Sequence, residues 1–419
     1  MARKPIESFA EAQRIAKRRM PGPIYTALIS GNEKGATIKQ NPEAFSQIGW
    51  LPRVARETPE EQPLTRELAT TALGMELSMP VMPGPAGAQA INPEGEVAVA
   101  KAAKAAGTAM GLSSFATKPM EAIAAANPNW LYQLYWTGTR DDILWRIERA
   151  KKSGAKALIV TLDATGGGLG RRDWGSPPIP TQIDLEAVFR FAPMALSRPG
   201  WLMKFLAQGG IPDLSVPNSA NRPGKAPTFK EIYVELMSTP VPTWSDIKWL
   251  REQWDGPFVV KGLMRGEEAK RAVDIGADAV VVSNHGGNNL DSSYASIRVL
   301  PAVARAVNGQ AEVWFDGGIR RGMDVAKALA LGADIVLVGR LWIFGLAAGG
   351  QQGVHDLLEM IRDGLHWSLV GLGHRSFRDL SPDDVVAPDG FFFDPDTKTR
   401  LEDLQLRRTD FEPDRAVAR

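Results

Sequence analysis

The sequence contains no cysteine, which excludes disulfides, thiolate metal sites, iron–sulfur clusters and a cysteine nucleophile. It has only four histidines, too few to favour a three-histidine metal site, and we expect no bound metal. Neither sign of charge is in excess, because 49 Lys and Arg balance 48 Asp and Glu. This balance argues against a general nucleic-acid binder or a polybasic membrane protein.

Long hydrophobic runs are also missing. The most apolar stretch, 336–350, is interrupted by Arg340, so no segment has the pattern of a membrane span. Residues 1–19 are charged and lack the apolar core of a secretory signal, which predicts a soluble cytoplasmic protein. Residues 183–208 mix apolar side chains with basic ones. They predict either a lid helix packed on protein or a segment that lies peripherally on a membrane surface.

What the sequence does contain is a repeated pattern of helix and buried strand. GAKALIVT at 154–161, GADAVVVS at 276–283 and GADIVLVG at 332–339 each predict a helix end, a tight turn and a buried strand. Eight such units favour a closed (β/α)8 TIM barrel over the alternative, an open doubly wound sheet. The predicted strands are 80–85, 108–114, 131–136, 157–163, 258–263, 279–284, 312–316 and 335–339.

Three regions do not follow this alternation of helix and strand. Residues 1–79 precede the first strand and are expected to cap the base of the barrel. Residues 164–242 form a long insertion after the fourth strand, rich in Pro and Trp, and are expected to form a lid or substrate loop. We therefore predict a single domain over 1–379, followed by a polar tail over 380–419.

Polar residues follow almost every predicted strand. In a barrel of this type the carboxyl ends of the strands meet at one mouth, where active sites lie. His285 is the only histidine at such an end, which indicates a catalytic base, although a structural histidine is the alternative. Asp163 is placed to orient it. Lys261 ends a buried strand and predicts a Schiff-base lysine, a carboxylate partner or a cation beside an anionic cofactor.

Two glycine-containing turns follow the last two strands. The segment DGGIRRG at 316–322 places two glycines and Arg320 before a helix, and Gly339-Arg340 follows the eighth strand. Barrel phosphate sites are built from these same two loops, with backbone amides of a helix N-terminus facing the anion. The pattern predicts a phosphorylated cofactor, the alternative being a plain glycine turn with surface arginines.

Several motifs together resemble the FMN-dependent α-hydroxy acid oxidase/dehydrogenase family over about Phe9 to Leu380. They are SNHGG at 283–287, DGGIRRG at 316–322, KALALGA at 327–333, LSSFAT at 112–117 and Lys261-Gly262. The resemblance implies FMN at the mouth of a TIM barrel and an oxidoreductase in which hydride reaches flavin N5 with the help of a histidine. It also implies a homo-oligomer, because barrels of this family tend to form tetramers.

The resemblance also implies residue roles. The implied catalytic residues are His285, Asp163, Lys261 and Tyr135. The implied FMN-binding residues are Pro85, Ala86, Gly87, Ser113, Gln133, Thr161, Lys261, Ser283, Asp316, Gly317, Gly318, Arg320, Gly339 and Arg340. The implied substrate-binding residues are Tyr135, Arg172, His285 and Asn288.

Two positions depart from the family pattern. The family's carboxylate-binding arginine is replaced by Asn288, and a carboxylate-binding tyrosine near the N-terminus is replaced by Ala27. A neutral amide cannot provide the two charge-assisted hydrogen bonds that a guanidinium group gives a carboxylate. This argues against a simple 2-hydroxy acid as the substrate. Arg172 matches a further family arginine, so one cation is retained.

The segments SNHGGNNLD and RDWGSPPIP are similar to one subgroup of that family, the flavoproteins of mycofactocin biosynthesis. This similarity implies oxidative deamination of a lactam amine derived from cyclised Val–Tyr, with oxygen or another electron acceptor. The alternative is a 2-hydroxy acid oxidase or dehydrogenase. Two related phosphate-binding barrels, inosine monophosphate dehydrogenase and the FMN-dependent isopentenyl diphosphate isomerase, and a non-catalytic flavin-binding protein are weaker alternatives. The absence of cysteine disfavours the first, and the second, which acts without net oxidation, does not explain SNHGG. The retained His285, Asp163 and Lys261 disfavour the non-catalytic protein.

Overall fold

Eight parallel strands form one sheet that curls into a barrel. The computed structural model describes residues 3–52, 65–88, 90–164, 185–208, 210, 212 and 214–400. The strands are β1 Val81–Pro83, β2 Met110–Ser113, β3 Trp130–Tyr135, β4 Leu158–Thr161, β5 Phe258–Leu263, β6 Ala279–Val282, β7 Glu312–Asp316 and β8 Ile335–Val338. Each overlaps its predicted range, and the predicted (β/α)8 barrel is confirmed.

The sheet follows the order of a barrel that is nearly closed. Its hydrogen-bonded neighbours run β1, β8, β7, β6, β5, β4, β3 and β2. At the seam between β1 and β2, the Thr108 hydroxyl donates to the Val81 carbonyl at 2.6 Å. Parallel registry places Tyr135 beside Thr161 and Thr161 beside Lys261. Side chains that are far apart in sequence therefore emerge side by side at the mouth.

Helices cover the outside of the barrel and extend its mouth. Most begin at Ser or Thr caps or at Pro, and the long α14 ends at a left-handed Gly373. In chain order they are α1 Phe9–Arg19, α2 Gly22–Ile29, α3 Ala36–Ser46, α4 Gly95–Ala105, α5 Met120–Ala126, α6 Arg140–Lys152, α7 Leu185–Leu196, α8 Pro199–Ala207, α9 Phe229–Ser238, α10 Trp244–Glu252, α11 Gly266–Asp274, α12 Leu300–Val307, α13 Gly322–Ala330 and α14 Arg340–Leu372.

The lower half of the barrel is filled by side chains. An antiparallel hairpin of Thr70–Ala72 and Met75–Leu77 lies beneath it and contributes apolar residues to the same cluster. Apolar residues from most of the strands, with Trp314 the largest, are buried in this layer. The barrel is therefore a packed core at its base and opens only at its carboxyl end.

The N-terminal segment does not all lie where the sequence suggested. The hairpin at 70–77 covers the base as expected, but α2 and α3 lie at the mouth. The Asn41 side chain donates to Asn284 Oδ1 at 2.8 Å, and the Asn32 amide donates to the Gly287 carbonyl at 3.0 Å. The expectation of a cap at the base is wrong for these helices. Polar groups of α3 have partners in the loop after β6, and the Leu28 carbonyl of α2 accepts from Arg340 after β8, neither of which sequence periodicity reveals.

The insertion and the tail add smaller elements. Of the insertion at 164–242, α7, α8 and α9 are described, whereas 165–184 lie outside the described residues. In the tail, Val385–Val386 pairs with Gly49–Trp50, and Phe393–Asp394 pairs with Thr399–Arg400. None of the described helices combines the length and apolar character needed to cross a bilayer.

A close helix contact makes Gly322 necessary, and we predict that Gly322→Ala destabilises the fold. A Cβ there would lie 2.2 Å from the Leu365 amide and 2.4 Å from the Ile361 carbonyl, both on the backbone of α14. Overpacking of this kind costs about 1–3 kcal/mol. The control is Gly371→Ala, where a Cβ meets nothing within 4 Å. Chemical denaturation should show a lower free energy of unfolding for Gly322→Ala only. An equal decrease in both variants would contradict this account of the contact.

Candidate active site

One cavity of about 350 Å³ lies at the carboxyl ends of the strands and collects most of the predicted site residues. The predicted residues that line it are Pro85, Ala86, Gly87, Ser113, Tyr135, Lys261, His285, Asn288, Asp316, Gly317, Gly318, Arg320, Gly339 and Arg340. Four others, Gln133, Thr161, Asp163 and Ser283, lie around it without being among its lining residues. The predicted Arg172 lies outside the described residues.

His285 is held by a carboxylate on one side and faces a phenol on the other. Its Nδ1 lies 2.8 Å from Asp163 Oδ1, and its Nε2 lies 3.2 Å from the Tyr135 hydroxyl. His285 has a left-handed backbone with φ of 55°, and Ser283 Oγ accepts its amide at 3.0 Å. Left-handed backbone is uncommon away from glycine and is found at functional turns. This turn carries the imidazole from β6 across to Asp163 after β4.

The Asp163 carboxylate is ionised in this site. Burial would raise its pKa, but the charge and hydrogen bond of His285 and the charge of Lys261 outweigh burial and lower the pKa below its usual value. An ionised carboxylate only accepts, so Nδ1 of His285 donates and Nε2 is left as the basic nitrogen. Burial, followed by the charges of Asp163 and Asp316, raises the pKa of Tyr135, which keeps the phenol protonated as a donor.

Two further residues hold Asp163 and were not among the predicted site residues. The Asn289 side chain donates to the Asp163 carbonyl at 2.8 Å. A Cβ at Gly262, whose φ is +104°, would lie 2.6 Å from Asp163 Cγ. Only glycine therefore fits there. The motif Lys261-Gly262 contains this signal, but its meaning depends on a neighbour from another strand.

Lys261 forms a buried charge cluster with residues of the next two strands. Its Nζ lies 2.8 Å from Asp316 Oδ2 and donates to Ser283 Oγ at 2.7 Å. Ser283 in turn donates to Asp316 Oδ1 at 2.6 Å. Burial would lower the pKa of Lys261, but the charges of Asp316 and Asp163 outweigh it and raise the pKa. The structure thus favours the carboxylate partner among the three roles considered for this lysine.

Two buried polar atoms of predicted FMN-binding residues have no partner among the described residues. They are Gln133 Nε2 and Thr161 Oγ1. Gln133 Oε1 already accepts a hydrogen bond from Ser113 at 3.1 Å. Buried polar atoms without partners are rare and costly in a folded protein. Both atoms therefore fit a polar group on a bound ligand better than they fit an empty site.

The other end of the cavity offers an anion site. Gly339 is the N-cap of α14, has no side-chain cap, and faces open space where a Cβ would lie. Arg320 lines the same cavity and has no carboxylate at ion-pair distance among the residues that the structure describes. Burial lowers the pKa of Arg320 to about 10, which still leaves it charged at neutral pH. Arg320 is half-buried, donates to the Ile319 carbonyl at 2.7 Å and lies over the Phe9 ring. A helix N-terminus and a cation without a carboxylate at ion-pair distance on one cavity suit a phosphate.

Glu96 is a supporting residue that the sequence reading missed. It is fully buried at the start of α4 and accepts the amide of Ala88 at 2.7 Å, after β1. It also accepts the Thr117 hydroxyl at 2.9 Å and the Lys118 amide at 3.2 Å, both after β2. Glu96 thus joins the two loops that carry Pro85 and Ser113. A glutamate within an alanine-rich apolar helix was the available signal.

Asn288 is coupled to Arg340 in this structure. Arg340 donates through Nη2 to Asn288 Oδ1 at 3.1 Å, through Nη1 to the Gly286 carbonyl at 2.7 Å and through Nε to the Leu28 carbonyl at 3.0 Å. All three guanidinium nitrogens are therefore engaged. Because the oxygen of Asn288 is engaged as well, its NH2 group is what remains for a ligand.

Comparison with known proteins agrees with this architecture. The model of the FMN-dependent dehydrogenase family matches residues 16–387. The chain belongs to this family.

Similar proteins within this family include pre-mycofactocin synthases and glycolate oxidases. Pre-mycofactocin synthase of Mycobacterium tuberculosis is 52% identical over 96% of this chain and 100% of its own length. The protein of that name from Mycolicibacterium smegmatis is 51% identical over 92% of this chain and 95% of its own. Glycolate oxidase 3 of Arabidopsis thaliana is 38% identical over 90% and 95% of the two chains.

A solved structure shows the same fold. The crystal structure of the monotopic membrane protein (S)-mandelate dehydrogenase superposes with a TM-score of 0.80 at 30% identity, covering 92% of this chain and 100% of the other. This FMN-dependent dehydrogenase family member is therefore an oxidoreductase whose cofactor is FMN. The unpartnered atoms of Gln133 and Thr161 and the anion site at Arg320 and Gly339 fit that cofactor.

We predict that Lys261→Met destabilises the protein, because it leaves Asp316 without its countercharge. Breaking a buried pair by removing one partner costs about 3–5 kcal/mol. The pKa of Lys261 is raised above that of the unfolded chain, near 10.4, so the pair stabilises fully below that pH and is lost only as pH rises further.

Denaturation of the FMN-free protein should therefore show that the free energy of unfolding differs between wild type and Lys261→Met by a constant amount from pH 7 to pH 9. A difference that already shrinks across this range would show that the pair does not act as described.

Proposed function

We propose that this enzyme oxidatively deaminates an amine carbon on a neutral lactam derived from cyclised Val–Tyr. The observation that carries the proposal is the replacement of the carboxylate clamp. Ala27 and Asn288 both line the cavity, and the guanidinium beside Asn288 donates to three protein oxygens. The remaining NH2 of Asn288 suits a lactam carbonyl, whereas a carboxylate calls for a guanidinium fork. The name of the 52% identical relatives, pre-mycofactocin synthase, supports this choice.

The residues around His285 supply the proton chemistry of this proposal. Nε2 of His285 takes a proton from the substrate, the Asp163 carboxylate stabilises the imidazolium that results, and Tyr135 donates to the polar group on the reacting carbon. The substrate loses two electrons and two protons to become an imine. Water then adds to the imine and ammonia leaves, which gives the ketone.

FMN, when bound, supplies the two-electron acceptor and passes the electrons to oxygen or another acceptor. Ser113, Gln133 and Thr161 would hold the polar edge of its ring, with Lys261 and Ser283 close by. The ribityl chain and the phosphate would be held by the remaining predicted residues, Asp316, Gly317, Gly318, Arg320, Gly339 and Arg340. Pro85, Ala86 and Gly87 would pack against the ring. Glu96 positions the first of these loops.

The second candidate function is oxidation of a 2-hydroxy acid. It is favoured by the intact arrangement of His285, Asp163 and Tyr135, which also suits abstraction of a hydroxyl proton. It is favoured too by the 38% identity to a glycolate oxidase. The two candidates differ in the group that the enzyme must hold, a carboxylate in one and a neutral amide in the other.

Anaerobic mixing separates the two functions. We expect the lactam amine to bleach the flavin absorbance near 450 nm, and L-lactate to do so at least about tenfold less efficiently, because a missing charge-assisted hydrogen bond costs about 1.5–3 kcal/mol. Asn288→Ala should lower the efficiency with the amine by about tenfold and leave the reaction with lactate unchanged. Bleaching by lactate alone would establish the hydroxy acid function instead.

We also propose that α7 and α8 rest on an anionic membrane surface. Leu185 is 77% exposed and Phe189 is 80% exposed on α7, and Met203 is 61% exposed on α8. Arg190 and Lys204 accompany them. Apolar side chains next to basic ones are typical of helices that lie in the headgroup region. The structural relative (S)-mandelate dehydrogenase is itself described as a monotopic membrane protein.

Sedimentation with vesicles tests this surface. We expect binding to phosphatidylserine-containing vesicles and little binding to pure phosphatidylcholine. Phe189→Ser should weaken it about tenfold, since burying a phenylalanine is worth about 1.5–3 kcal/mol. Trp367→Ser, which removes a 66% exposed aromatic from α14, is the matched control. An effect of equal size in both variants, or none in the first, would refute the assignment.

A further inference from the structure

The segment between α2 and α3 packs closely on the loop that follows β6. The Asn32 amide donates to the Gly287 carbonyl at 3.0 Å, and the Asn32 side chain donates to the Asn289 carbonyl. A Cβ at Gly31 would lie 2.8 Å from the same Gly287 carbonyl, so the two backbones nearly touch. The loop that carries His285 is therefore fixed by the N-terminal segment as well as by the barrel.

The asparagine that receives Asn32 also holds the chain after β4. Asn289 donates through its side chain to the main-chain carbonyl of Asp163 at 2.8 Å. Asp163 Oδ1 in turn lies 2.8 Å from Nδ1 of His285. Three hydrogen bonds therefore lead in series from Asn32 to the imidazole. They join three parts of the chain that are far apart in sequence.

The direction of the Asp163 carboxylate depends on the position of its backbone. Its second oxygen, Oδ2, is buried and has no hydrogen-bond partner among the described residues. The strand β4 ends two residues earlier, at Thr161. With one oxygen unpartnered, the carboxylate follows its main chain, and the hydrogen bond from Asn289 fixes that main chain. A small shift there would move Oδ1 away from His285.

The Asn32 side chain is costly at its position unless this contact matters. Asn32 is 7% exposed, and its Oδ1 has no partner among the described residues. A buried polar atom without a partner destabilises a folded protein. The backbone amide of Asn32 already joins the two segments through Gly287. What the buried side chain adds is the contact with Asn289.

We infer that Asn32 and Asn289 are positioning residues for the Asp163–His285 pair, with Asn32 acting through Asn289. They orient the carboxylate so that it accepts from Nδ1 and leaves Nε2 as the basic nitrogen. The inference rests on the proposed function for the role of His285 as the base, which both candidate substrates require. Asn32 is not among the lining residues of the cavity, so it contributes to proton transfer from outside the site.

The position of the proton on His285 tests the inference without a substrate. The sequence has four histidines, so nitrogen NMR of the FMN-loaded, histidine-labelled enzyme gives few signals, and His285→Gln identifies the one needed. The spectra are recorded at pH 9, where ordinary histidines are neutral. We expect the proton on Nδ1 in the wild type. Asn289→Ala and Asn32→Ala should each lower the ratio of the Nδ1-H to the Nε2-H tautomer about tenfold, because the hydrogen bond to a charged group is weakened.

Two further variants separate positioning from general stability. Thr37→Val removes a hydrogen bond between the same two segments, from Thr37 Oγ1 to the Ser293 carbonyl at 3.2 Å, and does not lead to Asp163. It should leave the tautomer ratio of the wild type. Asn289→Gln keeps the donating amide and should restore most of the ratio. Asn32→Asp keeps the size of the side chain and removes its donor, so it replaces Asn32→Ala if that variant fails to fold.

The rate of anaerobic flavin bleaching at saturating substrate gives a second readout. Asn289→Ala should lower this rate about tenfold in the wild type and less than about twofold in Asp163→Asn, since a residue that acts through the carboxylate has no further effect without it. Asn32→Ala should also lower the rate. Added to Asn289→Ala, it should lower the rate no further, because the two residues act in series.

The outcomes separate this inference from the proposed function. An unchanged tautomer ratio in the Asn289 and Asn32 variants would overturn the inference, as would an equal change in Thr37→Val. A rate loss of full size in Asp163→Asn would show that Asn289 acts on the substrate directly, which also contradicts it. If neither the lactam amine nor L-lactate bleaches the flavin, the proposed function fails, and the tautomer ratio still decides the inference.

Discussion

The ion pair between Lys261 and Asp316 is the interaction on which the geometry of this site depends. It joins the ends of β5 and β7, and Ser283, the residue after β6, bridges the two charges through its hydroxyl. An ammonium group in this position would be costly without a carboxylate beside it. With the pair in place, three neighbouring strands present their polar ends at fixed spacing. The same lysine adds a positive charge near Asp163, which helps to keep that carboxylate ionised.

The cavity uses its cations for different purposes. The charge of Lys261 is neutralised by Asp316, and Arg340 donates hydrogen bonds to Leu28, Gly286 and Asn288. Arg320 has no protein carboxylate at ion-pair distance among the described residues, and it lies with the N-terminus of α14 on the same cavity. This distribution leaves Arg320 for an anionic group of the cofactor. Beside Ala27 and Asn288, the guanidinium of Arg340 is engaged with protein oxygens, so the neutral NH2 group of Asn288 is what remains for a ligand, and this underlies the proposed choice of a lactam over a carboxylate.

Sequence reasoning succeeded where a residue's surroundings follow from its own segment. The eight strands were found because each is a short apolar run, three of them after a Gly-Ala turn, and strand ends in a barrel converge whatever the details. His285, Lys261 and Asp316 were recognisable on that basis. It failed for α2 and α3, which were expected at the base but lie at the mouth, where α3 contacts the loop after β6 and α2 contacts Arg340. It also missed Glu96 and the cavity face of α9, whose meaning depends on partners many residues away.

The sequence by itself determined the class of fold, the FMN-dependent oxidoreductase family and the membership of most of the cavity, because buried strands and glycine turns are local patterns. Only the tertiary structure decided which partner each polar group has. In the tertiary structure Arg340 donates to Asn288, and Gln133 and Thr161 each keep one unpartnered atom. The rings of Phe229 and Tyr233 also join one row with His285. These relations join separate strands and the insertion. They arise from the closure of the barrel, which no single segment of the chain encodes.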